Sequence, residues 1–113
     1  MIKLPFPIPV NAMYANRKGG RRKSDRYKAW IDEAQWMLNT QYLRVIKGTY
    51  SIHIKVKRPD NRRRDIDNLI KCVSDILVTN GVIEDDSLCE RLLIEWGGEE
   101  CEVNLEEVEA IIL

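Results

Sequence analysis

The chain has 113 residues, 44% of them hydrophobic and 32% charged, with six glycines and four prolines, which fits about one folded domain rather than a disordered segment. No uncharged apolar run approaches the roughly 20 residues of a membrane span, so no membrane partner is expected. The formal net charge of zero hides a division. Residues 1–64 hold 16 of the 18 basic side chains and 4 of the 18 acidic ones, and residues 65–113 hold the other 2 and 14. A net +12 facing a net −12 points to interaction with nucleic acid or another polyanion.

The opening stretch Met1–Val10 is apolar, but prolines at 5, 7 and 9 forbid a helical signal core, and no signal peptide is expected. Ile2, Leu4 and Phe6 alternate with Lys3 and Pro5, which predicts an edge strand that the prolines cut short. Arg17-Lys18-Gly19-Gly20-Arg21-Arg22-Lys23 lacks an apolar period and reads as a flexible basic loop able to track a phosphate backbone. From an N-cap at Ser24, Tyr27, Trp30, Ile31, Ala34, Leu38 and Val45 trace a helical stripe that frays toward Lys47-Gly48. Trp36 and Met37 lie beside the stripe and either widen it or face a second subunit.

Tyr50, Ile52, Ile54 and Val56 alternate with polar residues as a half-buried strand, ended by the turn Arg58-Pro59-Asp60-Asn61. A second amphipathic helix begins near Asp65, runs through Ile66, Leu69, Ile70, Val73, Ile76 and Leu77, and stops at Asn80-Gly81. Leu92, Ile94 and Trp96 predict a third strand, Gly97-Gly98 a hairpin turn, and Cys101, Val103 and Leu105 a fourth strand. The order β-α-β-α-β-β is that of a single α+β domain over residues 1–113: one mixed or antiparallel sheet with two helices packed on one face.

Cys72, Cys89 and Cys101 lack C-x-x-C spacing, and His53 is the one histidine, so zinc clusters, disulfides and histidine-based hydrolysis are not expected. Free thiols suit a reducing cytoplasm. Carboxylates or lysines must then carry any chemistry. They gather in Arg62-Arg63-Arg64-Asp65-Ile66-Asp67-Asn68-Leu69-Ile70-Lys71, with Glu84-Asp85-Asp86 after the second helix. Pairing of the second and third strands would return that acidic triplet to the same end of the sheet. Carboxylates beside a basic surface suit Mg²⁺, which takes oxygen ligands and retains waters or a substrate phosphate. Aspartates also favour helix starts for capping, and Asp67 and Lys71 have the spacing of an ordinary i,i+4 surface pair. On the residues alone, a metal-dependent nuclease and a non-catalytic nucleic-acid binder both remain open.

Over nearly its whole length the sequence resembles the RusA family of Holliday junction resolvases, small endodeoxyribonucleases of bacteria, phages and prophages. Leu4-Pro5-Phe6-Pro7 with Asn11 and Tyr14 is similar to the family's opening pattern. Arg62 to Lys71 is similar to its signature R-R-R-D-x-D-N-L-x-K, continued by Asp75-Ile76-Leu77, Gly81 and Asp85-Asp86. The resemblance implies catalytic and metal-binding roles for Asp65, Asp67 and Asp86, with Asp85 as the fallback, and an essential role for Lys71. It implies a Mg²⁺-dependent homodimer in the cytoplasm of a bacterium. Such an enzyme cuts a four-way junction symmetrically, leaving 5′-phosphate and 3′-hydroxyl ends, in DNA recombination and repair. Arg62, Arg63 and Arg64, with Arg17, Lys18, Arg21, Arg22 and Lys23, would hold the DNA. The alternatives are a flap or branched-DNA nuclease of broader choice, and a junction-binding protein without catalysis.

Overall fold

A computed structural model of the chain describes residues 1–108. Four strands form one mixed sheet: β1 (Ile2–Leu4), β4 (Tyr50–Val56), β5 (Cys89–Trp96) and β6 (Cys101–Glu107), in the order β1-β6-β4-β5. β4 runs parallel to β5 and antiparallel to β6. Two further strands, β2 (Tyr14–Arg17) and β3 (Gly20–Lys23), make a separate hairpin. The helices are α1 (Asp25–Asn39) and α2 (Lys71–Thr79). The expected α+β layout therefore holds, with one hairpin added. The expected extent to residue 113 includes 109–113, which lie outside the described residues.

β4 anchors the sheet because its sequence alternates cleanly. Tyr50, Ile52, Ile54 and Val56 are buried, while Ser51, His53 and Lys55 face the other side half-exposed. Cys101 and Val103 of β6 and Ile2 and Leu4 of β1 join the same core, against Tyr27, Trp30, Ala34 and Leu38 of α1 and Val73, Ile76 and Leu77 of α2. Both helices thus cover one face. At roughly 1.5–3 kcal/mol per fully buried large aliphatic side chain, this shared core is the main source of stability.

Several expected boundaries move, each for a local reason. β1 ends at Leu4, not Phe6, since Pro5 has no N–H for the ladder. The chain then crosses toward α2, where the Ile8 N–H donates to Cys72 Sγ at 3.3 Å. Helix α1 stops at Asn39 rather than near Lys47. The Gln41 side chain pairs with the Lys3 backbone through two 2.7 Å hydrogen bonds, drawing the chain off the helix axis. Ile46 is buried by an extended bridge to Ile83, and Val45 is left exposed.

Gly97-Gly98 does not turn a hairpin. The strands it joins flank β4 on opposite sides, so the loop passes over the end of that strand, with Gly97 N–H donating to Val56 O at 2.9 Å and Lys57 N–H to Glu100 O at 2.8 Å. The apolar alternation of β4, longer than that of β6, wins the central place. The stop at Asn80-Gly81 is as expected: Gly81 sits at φ +70°, and Val82 N–H reaches back to Leu77 O at 3.0 Å.

Candidate active site

The segment after β4 begins with a turn built on Asp60. Its carboxylate accepts from Arg64 Nε at 3.1 Å and Nη2 at 2.6 Å, and from the Arg62 N–H at 3.0 Å. The Arg64 guanidinium holds the Asp60 carboxyl down to about 2. Arg64 is therefore tied to a neighbour that the sequence suggested only as part of a turn. Among the described residues no ion pair engages Arg63.

Asp65 does not cap an α-helix. It is extended, at φ −88° and ψ 103°, its side chain makes no capping bond, and a short 3-10 turn, Ile66–Leu69, follows it. With three residues per turn, Ile66 and Leu69 fall on one side of the turn, Leu69 buried and Ile66 half-buried. Helix α2 begins only at Lys71, so Asp67 lies in the 3-10 turn. The change of helix type breaks the expected Asp67–Lys71 pair. Lys71 Nζ lies instead 3.0 Å from Asp75 Oδ1 and 3.5 Å from Asp86 Oδ2. Hydrogen bonding and the charge of Asp75 first, then of Asp86, raise the Lys71 ammonium pKa.

The parallel pairing of β4 and β5, with Tyr50 opposite Cys89, brings the downstream acids back as expected. Their three carboxylates have separate fates. Glu84 accepts from the Gly48 N–H at 2.7 Å. Asp85 accepts from the Ser87 N–H at 3.0 Å and from its hydroxyl, bonds that lower its pKa. Asp86 turns toward Lys71.

Three clefts surround these groups. One, about 390 Å³, is lined by Asp67, Lys71, Asp86, Tyr50, Ser74 and Leu92 among others. A second, about 380 Å³, is lined by Lys71, Asp75, Asp85 and Asp86 with Tyr14, Lys23 and Tyr27. Lys71 and Asp86 border both, so their ion pair forms the bar between the clefts. Asp65 opens onto a third cleft, about 230 Å³, with Arg63, Arg64, Arg26, Asn11 and Asn68. The structure thus brings Asp67, Lys71 and Asp86 together and sets Asp65 on the far side of the 3-10 turn. Among the described residues, no three carboxylate, histidine or cysteine side chains converge as a ready metal cage.

The residues do fit a hard cation of another habit. Asp67 and Asp86 are both exposed on one cleft, a donor set of carboxylate oxygens that leaves room for waters and a phosphate. Tyr50 beside Asp86 and Tyr27 beside Asp75 have phenols raised to about 12, mainly by burial, so both remain hydrogen-bond donors. Sequence periodicity assigned both rings to the core alone.

The basic segment before α1 is the ordered β2–β3 hairpin, not a flexible loop. Tyr14 pairs with Lys23, Ala15 with Arg22, and Asn16 with Arg21 across a turn whose Gly19 and Gly20 have φ of +92° and +129°. Arg21 stacks on the Tyr14 ring at 4.8 Å and Lys23 lies over Tyr27 at 6.0 Å. This face turns toward the Lys71–Asp75 cleft, which Tyr14 and Lys23 line. Among the described residues, Arg17, Lys18, Arg21, Arg22 and Lys23 form no ion pair, and Lys23 of these lines the acidic cleft. His53 lies on the uncovered face of β4, with Nε2 3.6 Å from Glu95.

The family described as Endodeoxyribonuclease RusA matches residues 5–107. A crossover junction endodeoxyribonuclease RusA of Aquifex aeolicus (strain VF5) is 36% identical over 85 residues, spanning 74% of this chain and 68% of that protein. Proteins of the same name from Enterobacteria phage HK97 and Escherichia coli (strain K12) are 31% and 32% identical, over 74% and 76% of this chain and 70% and 72% of their own lengths. The matched residues include Asp65, Asp67, Lys71, Asp75 and Asp86, which line the three clefts, and the chain belongs to the RusA endodeoxyribonuclease family.

Proposed function

We propose that this chain is a structure-selective endonuclease that resolves four-way DNA junctions by divalent-cation-dependent phosphodiester hydrolysis, in recombination and repair. One observation carries the chemistry: Asp67, Lys71 and Asp86 share a solvent-open cleft near a hairpin whose five cations form no ion pair among the described residues. The family membership supplies the reaction class and the branched substrate.

Asp67 and Asp86 would hold the cation; Asp65, which lines the neighbouring cleft, is the third ligand that the family resemblance implies and would have to swing across the 3-10 turn to reach it. Mg²⁺ suits this oxygen donor set and would supply polarisation of the phosphoryl group and an activated water. Lys71 holds its ammonium in the cleft and offsets the negative charge that develops on the phosphoryl oxygens. Arg62 and Arg63 bind flanking phosphates, and the hairpin residues Arg17, Lys18, Arg21, Arg22 and Lys23 follow the backbone of an adjoining arm. Arg64 acts chiefly by fixing the turn at Asp60, from which Arg62 and Arg63 project.

A junction needs two incisions, and the described residues of one chain form one such cleft. A two-fold homodimer provides the second by symmetry, in the bacterial cytoplasm where its substrate lies. Incubation of the protein with a synthetic four-way junction, with Mg²⁺ or with EDTA, tests the reading. Paired cuts with Mg²⁺ and none with EDTA are expected. Binding without cutting would leave a junction-binding protein, and equal cutting of flaps would broaden the substrate.

A further inference from the structure

The family signature runs on through Asp75, but the catalytic and metal-binding roles it implies fall on Asp65, Asp67 and Asp86; Asp75 nevertheless makes the shorter of Lys71's two ion pairs, 3.0 Å against 3.5 Å for Asp86. Its side chain is 30% exposed, against 46% for Asp86, so water competes less for it. The order of the pair also argues against a helix-stabilising purpose. Lys71 is the first residue of α2, where a positive charge opposes the helix dipole, and lysine four residues before an acid is the weaker arrangement. A sequence that needed only a stable helix would reverse them.

We propose that Asp75 is a positioning residue, which holds the Lys71 ammonium at the bar between the two clefts while Asp86 is engaged with cation and phosphate. This rests on the reading of Lys71 as a group that meets the reacting phosphate. The lysine side chain is a flexible four-carbon stem with rotatable donors. In the structure as it stands, two carboxylates restrain it. During the reaction Asp86 is turned to another charge, and Asp75, on the next turn of the same rigid helix, is the restraint that persists. Asp75 faces the cleft lined by Tyr14 and Lys23 rather than the one lined by Asp67, so it holds Lys71 without competing for the cation.

The test compares Asp75→Asn and Asp75→Glu with wild type in single-turnover cleavage of a four-way junction with Mg²⁺, alongside junction affinity and thermal melting. Asp75→Asn is expected to slow cleavage about 10- to 100-fold, the scale of a displaced reacting group, with affinity within about twofold of wild type. Asp75→Glu keeps the charge and reaches the same ammonium, so it recovers much of the rate. Should the Asn variant melt below the assay temperature, the Glu variant at wild-type rate supports the role, and at a rate reduced about 100-fold overturns it. Asp75→Asn cleaving at the wild-type rate, or a loss confined to affinity, also overturns it. Failure of wild type itself to cut would remove the underlying reading, a result seen before any substitution is made.

Discussion

Arg64 grips Asp60 through two nitrogens, Nε at 3.1 Å and Nη2 at 2.6 Å, which sets it apart from Arg63, engaged by no ion pair among the described residues. Arg64→Ala should loosen the turn from Pro59 to Asp65. Arg63→Ala should leave the turn intact and free one DNA phosphate. Every phosphate that the protein ceases to neutralise makes the negative slope of log K against log salt shallower by about 0.9. Junction titrations from low to moderate salt should show that step for Arg63→Ala. A slope unchanged even in the Arg62, Arg63 and Arg64 triple alanine variant would mean that these arginines only balance the acidic half of the chain. The pairing also has a pH sign. Asp60 titrates near 2, below its ordinary value, so its contribution to the turn is present above about pH 4 and fades as the pH falls toward 2.

The two neighbouring acids downstream should separate as cleanly. Asp86→Asn removes a carboxylate that faces Lys71 and the cleft, whereas Asp85→Asn disturbs a carboxylate already occupied by Ser87. Asp67→Asn and Asp86→Asn are expected to abolish Mg²⁺-dependent cleavage while junction binding stays equal or tightens, since each removes negative charge from a surface that meets phosphate. Asp85→Asn should retain most of the rate. Gel assays of cutting and binding on the same junction check all three, and wild-type cleavage by Asp67→Asn would return that residue to an ordinary surface acid.

Where a single period governs, the sequence is readable. The alternation from Tyr50 to Val56 and the stripe from Tyr27 to Leu38 correspond to β4 and α1 as built. Errors arise where a long-range interaction decides. Nothing local says that Gln41 will bind the Lys3 backbone and end α1, or that Ile46 will bridge to Ile83. The β2–β3 hairpin has no apolar alternation because its cations stack on Tyr14 and Tyr27 instead of burying a hydrophobic face. The cleft-lining aspartates and Lys71 stand out singly, and the return of Asp86 follows from strand pairing, but the partner of Lys71 and the cleft of Asp65 are not legible. A 3-10 turn rather than an α-turn at Ile66–Leu69 moves Asp65 to another cleft and frees Lys71 for Asp75.

Alkaline stability should follow from the core thiols. Burial pushes the thiols of Cys72 and Cys101 up to about 12, while in the unfolded chain they ionise near their ordinary value. The folded state holds those protons longer, so stability is intact below about pH 8.5 and declines as the pH rises toward 12. The urea midpoint should drop between about pH 8 and pH 10, and Cys101→Ala should shrink that drop. In native protein the half-buried Cys89 should react with a thiol reagent before the two buried ones. Rapid reaction of all three would contradict the packing of α2 against β6.

Trp36 is 68% exposed on α1 although its indole is among the larger apolar groups in the chain, and Met37 beside it is half-buried. Aromatic and methionine side chains are enriched at the cores of protein interfaces. Leaving an indole in water forgoes on the order of 2 kcal/mol of burial, which a partner surface would recover. If this face is the two-fold interface, Trp36→Glu, alone or with Met37→Glu, should give a monomer that melts close to wild type, because neither residue belongs to the buried core. Each such monomer carries an intact cleft, so it should nick a junction on one strand while losing the coordinated second cut. Sedimentation at micromolar concentration reads the first half and a cruciform plasmid, which separates nicked from linear product, reads the second. A wild-type species of 13.2 kDa that still linearises the plasmid in one binding event would show that the two cuts do not need a dimer.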